Sequence, residues 1–273
     1  MATCIAPILM QQRYVPCGYC GNCLGRKRQE WSFRLEQEHK RAKTADFITF
    51  TYAPEKEHKS PSGLISLRKT DFQKFMKVLR DRQVRTQPRS SKWPPLRYYT
   101  VGEYGTDTHR PHFHSILFNL HPSMKPFKIT DLWGRGLLDF GKVTPASIGY
   151  VTGYVINRHA DYGDREKPFA LISKGIGSNY LEKNYNYHKH GKRFNVNNKG
   201  IPGVLPRYYS DKIFNPHEKA VYQSQLQEKL HEKYLQEIRE LSELHTDPET
   251  YFLERQIAQC EAVKNKATLN HKL

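Results

Sequence analysis

Two histidines stand two residues apart in the run RPHFHSILF (110–118). In a β-strand, residues i and i+2 point to the same face, so His112 and His114 project together while Phe113 turns to the core. Two imidazoles side by side are a ready pair of metal ligands. A third is expected from the neighbouring strand, which Glu103 ends in RYYTVGE (97–103), one hairpin away. Mixed nitrogen and oxygen ligation with open positions suits Mg²⁺ or Mn²⁺ holding a phosphate. Such a metal polarises a phosphodiester and orients it for in-line attack. The same three ligands describe non-haem iron oxygenases, an alternative that these residues leave open. His109, at the loop tip between the strands, reads as a solvated or phosphate-contacting residue.

The candidate nucleophiles lie in IGYVTGYVINR (148–158). Read as a helix, Ile148, Val151 and Val155 form an apolar stripe. Tyr150 and Tyr154 then fall on one side of it, roughly 100–140° from its centre, and point at a neighbouring surface. A phenol has a pKa of about 10 and attacks well only beside a metal-bound phosphate, a base or a cation. Arg158, one turn past Tyr154, is a candidate source of positive charge.

Four of the five cysteines fall in the first 23 residues: Cys4, Cys17, Cys20 and Cys23. In a reducing compartment such a cluster points to metal ligation rather than disulfides. CGYCGNC (17–23) supplies thiolates three residues apart, with glycines that allow a tight turn, and Cys4 supplies a fourth corner for a structural zinc ion. The spacing is not that of a standard finger. An iron–sulfur cluster, or no metal, stays open as an alternative. Cys260 reads as an ordinary free thiol.

The elements that must position these residues follow from pattern. LGRKRQEWSFRLEQEHKRAK (24–43) reads as a charged helix with Trp31 and Leu35 inward. ADFITFTYA (45–53) is a strand, followed by a polar loop. Thr70 to Gln73 has the form of a capping box, and Phe72, Phe75, Met76 and Leu79 then mark a buried helix face. Residues 83–95 read as a loop, and 97–103 with 112–118 as a hairpin with an extended tip. LLDFGKVT is a short strand leading to a helix over about 145–158, capped by Thr144 with Pro145 in the first turn. Residues 186–200 read as a basic polar loop. From about 216 the chain is helical, with Leu226, Leu230, Ile238 and Leu241 near one stripe and a second helix from Asp247-Pro248. This order predicts an α+β fold with an antiparallel sheet.

The 273 residues carry 44 Lys+Arg against 27 Asp+Glu, a formal charge of +17. That excess points to a polyanion, above all nucleic acid. The 17 Tyr and 13 Phe are interleaved with the cations, a combination suited to single strands. No apolar run has the length of a membrane helix, and MATCIAPILM is unlike a secretory signal, so a cytoplasmic location is expected.

Taken together, these residues resemble the HUH endonuclease class, and within it the rolling-circle replication initiation proteins of gokushovirus-type microviruses. The resemblance is carried by CGYCGNC, FITFTY (47–52), VGEYG (101–105), RPHFHSILF, PASIGYVTGYV (145–155), GIGSNY (175–180) and LPRYYSDKIF (205–214), in that order along residues 1–215. It implies a five-stranded antiparallel, RRM-like sheet with helices. It implies His112, His114 and Glu103 as ligands of the divalent metal, and Tyr150 and Tyr154 as paired nucleophiles. One tyrosine would cleave the origin strand and keep its 5′-phosphate, leaving a 3′-hydroxyl to prime the host polymerase. The other would act when the circle closes. Single-stranded origin DNA and host replication proteins such as helicase and polymerase are the implied partners, in the cytoplasm of a bacterial host. Related initiators often carry lysine at the positions of Gly153 and Asn157, which leaves Arg158 as the cation beside the tyrosines. The expected organisation is a cysteine segment and basic helix (1–43), the endonuclease domain (44–215) and a C-terminal helical region (216–273). The alternative is a zinc-bearing nucleic-acid-binding protein without chemistry.

Overall fold

The computed structural model describes all residues except 1–3, 5, 6, 11, 12, 88–91, 106, 125, 154–160, 199, 245, 246 and 270–273. Strands β1 (Ile8–Met10) and β2 (Arg13–Val15) precede helix α1 (Gly21–Arg41), strand β3 (Ala45–Thr51), the small strands β4 (His58–Lys59) and β5 (Ile65–Ser66), and helix α2 (Lys69–Thr86). There follow β6 (Arg97–Tyr104), β7 (Pro111–Phe118), α3 (Pro126–Trp133), β8 (Leu138–Lys142), α4 (Pro145–Gly153) and β9 (Phe169–Ile172). The chain ends with α5 (Asn179–Gly191), β10 (Asn195–Asn198), β11 (Ile201–Val204), α6 (Arg207–Ile213), α7 (Pro216–Glu243) and α8 (Pro248–Leu269). Two units result: residues 27–180, and residues 1–26 with 181–273.

The first unit is built on a five-stranded antiparallel sheet in the order β8-β3-β7-β6-β9. The α+β class and the five strands expected from the sequence are therefore present. Strand side chains alternate between the two faces, and each face has its own core. On one face Phe50, Phe113 and Leu117 pack with Phe72, Phe75, Met76 and Leu79 of α2 and with Ile129 and Trp133 of α3. On the other, Tyr99, Val101, Ile116 and Phe118 pack with Leu35 of α1 and with Ile148 and Val151 of α4. Each such buried side chain stabilises by about 1.5–3 kcal/mol. His112 and His114 share the strand parity of Ile116 and Phe118, so they sit on the α1/α4 face, where that core gives way to polar groups.

Several local expectations differ from what is observed. Thr70 does not cap α2. The helix begins at Lys69 with no side-chain cap from Arg68, and the Lys69 N–H donates instead to the Glu166 carboxylate at 3.0 Å. Asp71 is drawn inward, accepting from the Tyr52 hydroxyl at 3.1 Å and pairing with His58 at 2.6 Å. A distant carboxylate has taken the capping role, which local sequence cannot reveal. Helix α2 also runs on to Thr86, into the expected loop. Buried Gln83 ties that last turn to the end of β7, donating to the Asn119 carbonyl at 3.1 Å and accepting from the His121 N–H at 3.0 Å. The stretch after β3, expected as a polar loop, folds back as the small β4–β5 ladder.

In the second unit, residues 186–200 are not a loop. Helix α5 continues to Gly191, and β10 pairs with β11 as a hairpin. The reason is burial: His188, Phe194 and Val196 are inside, and the Phe194 ring stacks 3.9 Å from both Phe214 and Tyr222. Helix α7 carries a full capping box from Asn215 and Glu218. Of its expected stripe, Leu241 is buried, Leu226 and Ile238 are half-buried and Leu230 is exposed. Tyr234 meets Phe252 of α8 with ring centroids 5.2 Å apart.

Candidate metal and tyrosine site

Strand register brings the three expected ligands together. Between β6 and β7, Glu103 lies opposite His112 and Val101 opposite His114. Both Nε2 atoms reach the same carboxylate oxygen, Glu103 Oε1, at 2.8 Å from His112 and 3.0 Å from His114. The three donor atoms lie within 4.8 Å of one another. Glu103 and His114 are buried, whereas the His112 ring is partly open to solvent. Burial pushes the Glu103 carboxyl up, but the hydrogen bonds and charge of the two imidazoles outweigh it and hold it below the ordinary carboxylate range. For His112, burial pulls the other way, and its bond to Glu103 overrides that to raise the imidazole above its usual value.

The far nitrogen of each ring is also held. His112 Nδ1 lies 3.1 Å from the Arg110 carbonyl, which only accepts, so this nitrogen carries a hydrogen. His114 Nδ1 lies 3.1 Å from the Thr49 hydroxyl, which β3 places directly opposite His114. When the outer nitrogen of a neutral imidazole is the N–H, Nε2 is left as the lone-pair donor that a cation needs. The donor set therefore fits a divalent ion, with His112, His114 and Glu103 as its ligands. Thr49 has a positioning role that sequence reasoning missed. Its one signal was a polar residue alternating with Ile48 and Phe50 in an otherwise apolar strand.

Helix α4 brings Tyr150 to the same place. Thr144 Oγ1 accepts from the Ser147 N–H at 3.2 Å, so Thr144 caps the helix and Pro145 opens it as expected. Ile148 and Val151 anchor it in the core. Tyr150 lies across the sheet rather than away from it. Its hydroxyl is 3.2 Å from His114 Nε2, and its ring meets His114 edge-on at 4.9 Å and Phe47 at 6.3 Å. Tyr154 and Arg158 lie outside the described residues. A cation reaches α4 from α1 instead: Arg28 Nη2 donates to the Gly149 carbonyl at 3.0 Å. Its guanidinium carbon would stand 3.8 Å from a Cβ at Gly153. No local pattern pointed to this, because 121 residues separate Arg28 from Gly149.

A phenol, two imidazoles and a carboxylate converging at one edge of a core, with a guanidinium on the adjacent helix, form an arrangement suited to phosphoryl chemistry. Residues 45–159 match the family model of the replication-associated protein ORF2, a span containing Glu103, His112, His114 and Tyr150. The chain is 29% identical over 243 residues to Replication-associated protein VP4 of Bdellovibrio phage phiMH2K, covering 82% of this chain and 75% of that protein. The chain is a relative of the phage replication-associated proteins. Replication-associated protein ORF2 of Spiroplasma virus 4 is 27% identical over 240 residues, covering 79% of this chain and 72% of its own. Replication-associated protein ORF4 of Chlamydia phage 1 is 24% identical over 224 residues, covering 72% and 53%. The resemblance drawn from the motifs thus stands. No solved structure matches.

The remaining expected residues, Cys4, Cys17, Cys20 and Cys23, come together in the other unit. Among the described residues, no helix is long and apolar enough to cross a membrane. His109 is exposed at the tip of the β6–β7 turn, with a left-handed backbone (φ 51°).

Proposed function

We propose that this chain initiates rolling-circle replication of a small phage genome as an HUH-class endonuclease and strand-transferase that nicks single-stranded origin DNA. The observation that carries this reading is the Tyr150 hydroxyl, 3.2 Å from an imidazole that shares the Glu103 carboxylate with a second imidazole. A tyrosine packing structurally on α4 would have no need to aim its phenol at that cluster.

When bound by His112, His114 and Glu103, Mg²⁺ or Mn²⁺ would polarise the scissile phosphodiester and neutralise charge developing on its oxygens. The chain's own residues do the rest. Thr49 and the Arg110 carbonyl hold the two rings in orientation. The apolar wall of Phe47 and the anchored helix α4 fix the phenol. In cleavage, the phenolic oxygen bonds to phosphorus and the bond from phosphorus to the 3′-oxygen breaks. The phenolic proton passes to solvent, and the departing oxygen takes one up to become a free 3′-hydroxyl. The 5′-phosphate stays on the tyrosine and preserves the energy of the broken bond for rejoining. Tyr154 is the second nucleophile of the pair, and Arg28 and Arg158 supply positive charge along the tyrosine helix. The net charge of +17 serves to hold the strand, and the 3′-hydroxyl serves a host polymerase and helicase in the bacterial cytoplasm.

The test is a covalent adduct. Incubating the chain with a pool of single-stranded DNA and Mg²⁺ or Mn²⁺, then digesting and analysing by mass spectrometry, should find nucleotide on the peptide containing Tyr150 and Tyr154. An adduct that persists unchanged in the double variant Tyr150→Phe, Tyr154→Phe would sink the assignment.

A further inference from the structure

The cysteine cluster is separate from the nuclease reading and stands on its own geometry. Cys4 Sγ lies 3.5 Å from Cys17 Sγ and 3.8 Å from Cys20 Sγ, and Cys17 Sγ lies 4.0 Å from Cys23 Sγ. All four sulfurs are within 4.8 Å of one another. With Zn–S bonds of about 2.3 Å, the edge of a tetrahedron of thiolates is about 3.8 Å, and the measured separations bracket it. They are far longer than the ~2.05 Å of a disulfide. They are also too short for a cubane iron–sulfur cluster, which spreads its four thiolates to the outer corners of a body of four irons. The spacing therefore selects a single ion.

The local backbone is shaped for the same purpose. Gly18 takes φ 81°, a left-handed turn that favours glycine, and so folds the chain between Cys17 and Cys20. The Cys17 N–H points at Cys4 Sγ at 3.2 Å, and the Cys20 N–H at Cys17 Sγ at 3.3 Å. Backbone donors aimed at sulfur stabilise thiolates rather than neutral thiols. Cys23 follows in the first turn of α1.

We propose that Cys4, Cys17, Cys20 and Cys23 bind one Zn²⁺ in a closed tetrathiolate centre, and that this ion fastens the β1–β2 hairpin to the start of α1. The hairpin needs such a fastening. Its strands are three residues each and lie between Cys4 and Cys17. Ile8, Leu9 and Met10 are exposed, at 40%, 63% and 56%, so β1 buries little core of its own. An isolated two-stranded hairpin is marginal in water, and in small elements a metal supplies the folding energy that apolar burial does not. With four protein ligands the ion has no open position, so the centre is structural and takes no part in cleavage.

The experiment uses the full chain with His112→Ala and His114→Ala, which removes the other metal-capable cluster. Elemental analysis should find one zinc per chain. Adding Cys17→Ser should abolish it, and adding Cys260→Ser should leave it unchanged. Exchange to Co²⁺ should give the visible bands of a tetrahedral ion with thiolate charge transfer. Folding failure of these variants is covered by alkylation of the unaltered chain. Four thiols should be protected until a chelator is added, with Cys260 reactive throughout. Iron or no metal in the purified chain, zinc retained after Cys17→Ser, or thiols that react equally with and without chelator would each overturn the proposal.

Discussion

The two metal-capable clusters of this molecule are built on opposite plans. Glu103, His112 and His114 stand on adjacent strands at the centre of a sheet, where register alone sets which side chains meet. Their outer atoms are held by a threonine and a carbonyl, and His112 opens towards solvent. The four cysteines stand on a turn, an N-terminal segment and a first helical turn, where no ladder fixes them and backbone N–H groups point at their sulfurs. The first cluster is preorganised by the fold, and the second organises its surroundings when it binds. That difference predicts which one does chemistry: an open, rigid site for a reacting phosphate, and a closed one for stability.

The largest expected effect breaks this division most directly. His112→Ala should lower DNA-adduct formation by on the order of 10²–10³-fold, the scale for losing one preorganised electrostatic group. It should leave DNA binding and the melting of the cysteine segment nearly unchanged. Brief chelation followed by Mg²⁺ or Mn²⁺ should restore nicking, whereas the tetrathiolate zinc should resist the same treatment. Equal loss of both metals on the same timescale would erase the contrast.

Thr49 tests whether the sheet site depends on its supporting layer. Thr49→Val keeps the shape and removes the hydroxyl at His114 Nδ1. Loss of such a partner costs roughly 10–100-fold in metal affinity. Titration of Mn²⁺ against cleavage rate should show that shift in the midpoint, with the rate at saturating metal recovering most of its value. An unchanged midpoint would mean that strand register alone aims the ring.

How much of this was legible in sequence follows the same divide. His112 and His114 were readable because a two-residue spacing in a strand has one structural meaning. Glu103 was readable because a hairpin returns the chain to its neighbour. Tyr150 was readable as a residue but not as a direction, because the tilt of α4 over the sheet is set by Ile148 and Val151 packing against distant strands. Thr49, Arg28 and Glu166 were invisible, each acting on a partner 65, 121 or 97 residues away. The hairpin at 195–204 was hidden by its polar turn, since its stability comes from Phe194 stacking on Phe214, at the end of α6, and on Tyr222 of α7.

Gly102 tests how rigid the sheet site must be. It sits between Val101 and Glu103, opposite Phe169 of β9, whose ring covers it. An added Cβ would lie 2.9 Å from Phe169 Cζ and 3.2 Å from Phe113 Cδ1, both in ring carbons of a packed core. Gly102→Ala should therefore destabilise the chain by about 1–3 kcal/mol, the scale of overpacking. Because Glu103 is the next residue, the cleavage rate should fall alongside the melting temperature. In the cysteine segment, Gly25 offers a control: nothing lies within 4 Å of a Cβ there, and Gly25→Ala in α1 should be neutral or stabilising.

Arg28 sharpens the comparison from the side of charge. Its guanidinium lies along the backbone of α4 at Gly149 and Gly153, near Tyr150 on the same helix. Both are glycines, so no side chain separates the cation from the helix backbone at those two positions. A cation there favours the phenolate and the approach of a phosphate. Arg28→Ala should slow adduct formation by roughly tenfold, about 1.4 kcal/mol. A purely structural arginine would give the same loss through misplacement of α4, so the decisive variant restores charge without restoring the contact. Gly153→Lys in the Arg28→Ala background puts an ammonium group where the guanidinium had been. Recovery of the cleavage rate, with melting temperature still at the level of Arg28→Ala, would identify the charge as the working part. No recovery would assign Arg28 to holding the helix in place.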